Sequence, residues 1–340
     1  MNNKIDKSDL RRVILSTSEQ FAEGFAAAKD ITVNADFSRI MISGMGGSAL
    51  PANVLRMYIN EFALQYKNYV KVDVYQNRFY SLPPEAYVDC LNLICSHSGN
   101  TEETIASFQE ALDNNLPCIG ISAGGTVEEM CKKNGVPHIK LPIPYENFQP
   151  RTATGHFVAV MIQLLVNAGK LSQDAIANKS MTDNLKEGIA QLEIQGKEIA
   201  KRLVGKTPVV YASTKFKALA MIWKIKINEN AKTPAFWNYF PELNHNEFVG
   251  FTNPQSKFYV LMLRDSDDHP RNLLRYEATA KFLEEKGVET EIIDIPEGDI
   301  LYRAFVTIAL SDWISYYLAL EYNQDPTPVD MVEDFKKALK

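Results

Sequence analysis

The chain has 340 residues, enough for about two domains of ordinary size with ample core. Asp and Glu (42) outnumber Lys and Arg (36), giving a formal charge of −6, and with no long basic run this speaks against general affinity for nucleic acid. The polar opening lacks a signal-peptide pattern and no apolar run is long enough to span a bilayer, so a cytoplasmic protein with no membrane contact is expected. A helical opening over 7–28 leads into alternating strands and helices. Strands are expected at 39–43, 72–75, 91–95, 117–122 and 138–143, with helical patterns filling most gaps. That alternation is the signature of a parallel sheet covered on both faces. A helix over 154–167 and a polar stretch over 172–186 lead to a second round, with strands at 208–212, 258–263 and 289–293. The expected class is α/β in two domains, 1–170 and 171–340, alike in pattern rather than in residues. Cys90, Cys95, Cys118 and Cys131 lack CxxC spacing and read as buried reduced thiols. The five histidines form no HxH or HxxxH pair, so no metal site is expected.

Two strand-to-helix loops carry the chemistry. Gly44-Met45-Gly46-Gly47-Ser48 follows the first strand, where a missing Cβ lets backbone approach a ligand closely. It lacks the dinucleotide spacing, and no acidic residue closes the second strand convincingly, so no nucleotide cofactor is expected. The second loop, Ser96-His97-Ser98-Gly99-Asn100-Thr101, joins the third strand to a helix marked by Ile105, Phe108 and Leu112. Unpaired amides and the positive end of a helix dipole favour an anion there. The hydroxyls of Ser48, Ser96, Ser98 and Thr101, with backbone from Gly46 and Gly47, make a candidate phosphate cradle. The competing reading is helix capping, with Asn100 as the cap and Glu103 closing a capping box. Loops after strands one and three flank the switch point of an open sheet, which suits one phosphorylated small molecule.

These loops occur in order with Pro150-Arg151, Asn228-Glu229-Asn230 and Pro241-Glu242-Leu243-Asn244-His245-Asn246-Glu247. From about residue 35 onward the chain resembles the bifunctional phosphoglucose/phosphomannose isomerases, built from two flavodoxin-like sugar-isomerase (SIS) domains. The resemblance implies interconversion of glucose 6-phosphate or mannose 6-phosphate with fructose 6-phosphate, without a metal or other cofactor, in a homodimer. The sequence departs from the usual pattern in places. Leu50-Pro51-Ala52 follow the first glycine loop, His97 stands where a tyrosine is common, and Thr154 where a leucine is usual.

An aldose–ketose isomerase moves a proton between C1 and C2 through a cis-enediolate, and one carboxylate reaching both carbons is the simplest base. Glu229 is the candidate. It lies on an expected helix over 215–231, in line with Ala218, Ile222 and Ile225, apolar on more than one face. Burial there is expected to raise its pKa. The competing reading is a surface pair with Lys232. By resemblance His245, in an irregular aromatic-rich segment over 234–252, opens the sugar ring and reaches the neighbouring subunit's site. Glu242 and Glu247 flank it, and either could orient the imidazole. Arg151 would stabilise the enediolate charge; its alternative role is a helix-start arginine paired with a carboxylate. Lys336, on a C-terminal amphipathic helix beside Phe335, corresponds by resemblance to a lysine that folds over the site, although a solvated side chain is the commoner state of a terminal lysine. A sugar-phosphate-sensing regulator of the same fold would keep the cradle, yet needs neither Glu229 nor His245. A related ketose-phosphate aminating enzyme should carry an N-terminal glutaminase domain, whereas this sequence opens Met1-Asn2-Asn3.

Overall fold

The computed structural model describes residues 4–65, 72–176 and 179–339. Two compact units emerge, Ser16–Lys186 and, together with the residues up to Leu15, Glu187–Lys340. The division falls beyond the expected boundary at 170/171 and inside a long helix that covers much of the stretch read as polar linker.

The helical opening is two helices, α1 (Leu10–Leu15) and α2 (Glu19–Ala28). Asp6 accepts the Leu10 amide at 2.8 Å to start α1, and Arg11 forks onto Glu193 at 2.7 Å, which ties α1 to the C-terminal unit. The N-terminal unit continues with β1 (Arg39–Ser43), α3 (Leu50–Gln65), β2 (Asp73–Asn77), β3 (Cys90–Cys95), α4 (Glu102–Asp113), β4 (Cys118–Ser122), α5 (Gly125–Asn134), β5 (His138–Lys140) and α6 (Thr154–Asn167). Its five strands are all parallel, in the order β2-β1-β3-β4-β5. Every residue of β3 and β4 is buried, as expected of central strands covered on both faces.

The C-terminal unit holds α7 (Lys179–Leu203) from Glu187 onward, then β6 (Thr207–Ser213), α8 (Lys217–Ala231), β7 (Phe236–Phe240), β8 (Phe258–Arg264), α9 (Pro270–Glu284), β9 (Glu289–Asp294), α10 (Ile300–Glu321) and α11 (Asp330–Ala338). Its parallel order, β7-β6-β8-β9, repeats the first four positions of the other sheet. Two flavodoxin-like units with mainly parallel sheets are therefore present. One expectation fails here. The segment over 234–252 is not irregular throughout, because its Phe-Trp-Asn-Tyr-Phe run pairs with β6 as edge strand β7 and two 3-10 turns follow. Aromatic side chains suit a half-buried pleated edge.

Helix α10 is buried almost all round and forms the core of this unit. One face of α8 is pinned to it at three levels. Trp223 donates to the Thr307 carbonyl at 2.9 Å, Lys226 pairs with Asp312 at 2.7 Å, and Asn230 donates to Ser315 at 2.9 Å. The spacing 223, 226, 230 is a helix face, and Glu229 lies about a quarter-turn off it. Trp313 closes the core by donating to the Ile189 carbonyl at 2.8 Å.

Candidate active site

In the N-terminal unit the first loop packs against the end of β3, and the second against the β4–α5 connection, through contacts that require small residues. A Cβ on Gly44 would lie 2.7 Å from the Cys95 carbonyl oxygen, and one on Gly99, at φ +73°, only 1.7 Å from that of Gly124. Ser48 ends the 3-10 turn Gly46–Ser48, and its buried hydroxyl accepts the His97 amide at 3.0 Å. That bond joins the first loop to the second. Ser96 and Thr101 share a hydrogen bond between hydroxyls at 2.9 Å, while exposed Ser98 accepts the Asn100 amide at 3.3 Å. Gly46 is exposed and nothing lies within 4 Å of where its Cβ would be.

The capping alternative takes a different form. The Asn100 side chain caps the next helix, accepting from the amide and hydroxyl of Thr126 at 3.1 and 3.0 Å. Thr101 holds the N-cap position of α4 without a side-chain cap bond, its hydroxyl being turned to Ser96. Amides of the first turn of α4 thus stand beside a ring of hydroxyls, an arrangement that stabilises an anion.

Arg151 is brought to the same place. Only 1% exposed, it lies in the 3-10 turn Pro150–Thr152. A Cβ on Gly47 would meet the Arg151 amide nitrogen at 2.4 Å, so the glycine loop rests directly on the arginine's backbone. Gln20 on α2, also buried, clamps this turn. Its amide donates to the Thr152 carbonyl at 2.7 Å and accepts from Gly155 at 3.0 Å. No feature of the sequence marked Gln20 for that task, since its partners lie over a hundred positions away. Gly46, Gly47, Ser48, Ser96, Ser98, Thr101 and Arg151 therefore form one cluster.

Beneath it His97 and His156 flank the Phe148 ring, with centroid separations of 5.7 and 5.8 Å. Burial, with a smaller contribution from His156, pushes the His97 imidazole down to about 4, and its Nε2 has no hydrogen-bond partner among the described residues. Burial also lowers His156, against a 2.6 Å contact to Glu23.

In the C-terminal unit Glu229 is half-buried on the last turn of α8. Lys232, in the left-handed conformation at φ +56°, closes that helix by donating to the backbone carbonyls of Glu229, Asn230 and Pro326 at 2.7, 3.3 and 3.2 Å. His245 ends the 3-10 turn Glu242–His245 and is exposed. Its loop is anchored by buried Leu243 and by Asn244, which bonds Thr279 and Arg275 at 3.0 and 3.1 Å. The flanking carboxylates hold the loop. Glu242 accepts from Asn246 at 2.6 Å, and Glu247 accepts from Tyr211 and Asn238, each at 2.5 Å. Burial first, then Glu247, drives the Tyr211 hydroxyl well above the usual phenol range. Lys336 is exposed and pairs with Glu333 at 2.7 Å on α11, none of whose residues is buried within the chain. Met331 and Phe335 are 90% and 63% exposed on the same helix.

Cys90, Cys95, Cys118 and Cys131 are free and buried, and burial raises each thiol. Among the described residues no group of three or more His, Cys, Asp or Glu is arranged to hold a metal ion, and no helix is long and apolar enough to cross a membrane.

The strand order and the serine-lined switch point define an α/β protein with a flavodoxin-like sheet in each unit. Residues 193–339 match the family model described as bacterial phospho-glucose isomerase C-terminal SIS domain. A bifunctional phosphoglucose/phosphomannose isomerase of Aquifex aeolicus is 35% identical over 315 residues, covering 92% of this chain and 93% of the relative. The enzyme of that name from Caldicellulosiruptor bescii is 35% identical over 344 residues, covering 96% and 97%. In fold, the C-terminal domain of glucosamine-fructose-6-phosphate aminotransferase from Francisella tularensis superposes with a TM-score of 0.69 at 16% identity, over 95% of this chain and 98% of that one. The chain belongs to the bifunctional phosphoglucose/phosphomannose isomerase family.

Proposed function

We propose that this protein interconverts glucose 6-phosphate and mannose 6-phosphate with fructose 6-phosphate by proton transfer between C1 and C2. The observation that carries the proposal is the hydroxyl and glycine cradle closed onto the turn of Arg151, in a chain of this family. The phosphate is held by the hydroxyls of Ser48, Ser96, Ser98 and Thr101 and by backbone of Gly46 and Gly47. Glu229 takes the proton from one carbon and returns it to the next through a cis-enediolate. Arg151 stabilises the charge that develops on the enediolate oxygens, a contribution typically of about 3 kcal/mol. His245 transfers the proton that opens the ring, and Lys336 assists.

His245 acts in a neighbouring subunit of a homodimer. Supporting this are its exposure and the apolar surface around its loop, where Phe236 and Val249 are 55% and 70% exposed. A cleft of about 620 Å³ lined by Phe236, Trp237, Phe251 and Phe258 lies on the same unit. A cytoplasmic location fits the buried free thiols.

Fructose 6-phosphate incubated with the protein in heavy water should give both aldoses carrying deuterium at C2, followed by NMR. Glu229→Gln should slow this by about 10²- to 10⁴-fold. A variant that keeps full exchange activity removes Glu229 as the base, and a single aldose product narrows the substrate to that sugar.

A further inference from the structure

The turn that carries His245, the residue proposed above to open the sugar ring, is fastened to the C-terminal unit on both sides. Tyr211 of β6 and Asn238 of β7 are partners in the parallel register of the sheet. Paired residues of adjacent strands present their side chains on the same face, about 4.8 Å apart. One carboxylate spans that gap. Glu247 accepts from the Tyr211 hydroxyl through Oε1 and from the Asn238 side-chain amide through Oε2, each at 2.5 Å. Strand pairing thus builds a two-donor socket for a residue that lies beyond the strands.

Tyr211 is 1% exposed, in a core cluster with Phe240, Leu243 and Phe251. Burial first, then Glu247, pushes its hydroxyl well above the usual phenol range, so it remains a donor. On the other side of His245, Asn244 donates to Thr279 at 3.0 Å and accepts from Arg275 at 3.1 Å, both on α9. Between these anchors the turn closes on itself. The Asn246 side chain donates to Glu242 at 2.6 Å and accepts the Glu247 amide at 2.5 Å. His245, exposed, stands one residue from the first anchor and two from the second. A connection between β7 and β8 needs no such bracing, whereas a proton-transfer group works only when held to within about 0.5 Å.

We propose that Tyr211 is a positioning residue for ring opening: through Glu247 it fixes the backbone that presents His245 before substrate arrives. The carboxylate at position 247 serves the turn, and the imidazole is left to meet the sugar. This deepens the function proposed above and rests on His245 as the ring opener.

Fructose 6-phosphate closes to a furanose through its C5 hydroxyl, and 5-deoxyfructose 6-phosphate, lacking that hydroxyl, is always open. The test compares the purified full chain on both. Tyr211→Phe should lower kcat for fructose 6-phosphate about tenfold with KM within about twofold, and leave the open analogue within about twofold of wild type. Backbone amides over 243–247 should exchange with heavy water faster in Y211F, and those of β8 at the wild-type rate. Glu247→Ala should reproduce the pattern, and adding Y211F to it should cost little more. His245→Ala is the reference. If it slows both substrates alike, the ring-opening reading fails and the positioning role with it. If it slows only fructose 6-phosphate, while a folded Y211F matches wild type or slows both substrates alike, the reading stands and this proposal is overturned. Amides over 243–247 that exchange at the wild-type rate in Y211F overturn it too. Should Y211F fail to fold, Asn238→Ala removes the other donor to Glu247 and is held to the same outcomes.

Discussion

The two units share a strand order and use its carboxyl end in opposite ways. Beyond β1 and β3 of the N-terminal unit, backbone rests on backbone, with Gly44 against Cys95, Gly47 against Arg151 and Gly99 against Gly124. What remains at the surface is a ring of amides and hydroxyls. At the matching end of the C-terminal unit, Phe216, Lys215, Asp265 and Arg303 fill the space, with the Asp265 carboxylate between the two cations. Topology sets where a ligand can bind, and the size of a few loop side chains decides whether it does. The units also differ in what they bury. The C-terminal core encloses the ion pair Lys226–Asp312, whereas the N-terminal unit buries two imidazoles, His97 and His156, whose pKa values burial lowers.

That contrast can be broken at several points. The largest effect is expected in the C-terminal core. Asp312→Ala leaves Lys226, 2% exposed, without the carboxylate at 2.7 Å, and should destabilise by about 3–5 kcal/mol in denaturant titration. A Lys226→Met/Asp312→Leu double variant should recover most of that, and a loss no greater than a surface substitution gives would show that the pair is not structural. The imidazole of His97 comes next. A free imidazole takes its proton near pH 6.5, but His97 in the fold does so only at about 4. Between those values the unfolded chain binds more protons, so stability falls as pH drops through the window, by about 3 kcal/mol over its full width. His97→Phe keeps the packing on Phe148 and should flatten that part of the pH profile; an unchanged slope would assign the titration elsewhere. Gly47→Ala should follow. Its Cβ must displace the Arg151 backbone, and a shift of that size at the arginine proposed to stabilise the enediolate is expected to lower kcat/KM about 100-fold.

How far the sequence revealed these features depends on whether their partners are local. Strands such as Cys90–Cys95 were legible because complete burial demands a continuous apolar run. The two glycine- and serine-rich loops were legible as strand-to-helix connections because the apolar runs before them stop sharply at small polar residues. Edge strand β7 was not, since one half-exposed face and bracketing prolines at 234 and 241 gave it the look of a loop. Lys336 was marked by resemblance alone, and its pairing with Glu333 on an exposed helix follows no signal beyond i,i+3 spacing. Asp265 and Gln20 carried no signal. Each is one polar residue whose meaning comes from partners far away in the chain, Arg303 for the first and the turn of Arg151 for the second.

Gln20 gives the finest probe, because it touches the cluster without touching any group proposed to contact substrate. Replacement by alanine removes the donor to the Thr152 carbonyl and the acceptor for Gly155, one on each side of the helix junction that carries Arg151. Gly47 still supports the turn from the other side, so the expected loss is modest, about tenfold in kcat/KM or about 1.4 kcal/mol. Gln20→Glu keeps only the acceptor and should fall by a similar factor. A general weakening of the fold would lower the melting temperature and leave kcat of the folded fraction intact, whereas a misplaced guanidinium lowers kcat itself. The decisive comparison is a cycle with Arg151→Lys. If Gln20 works by aiming Arg151, its replacement adds little once the guanidinium is gone; a full tenfold loss in both backgrounds would detach the clamp from the chemistry.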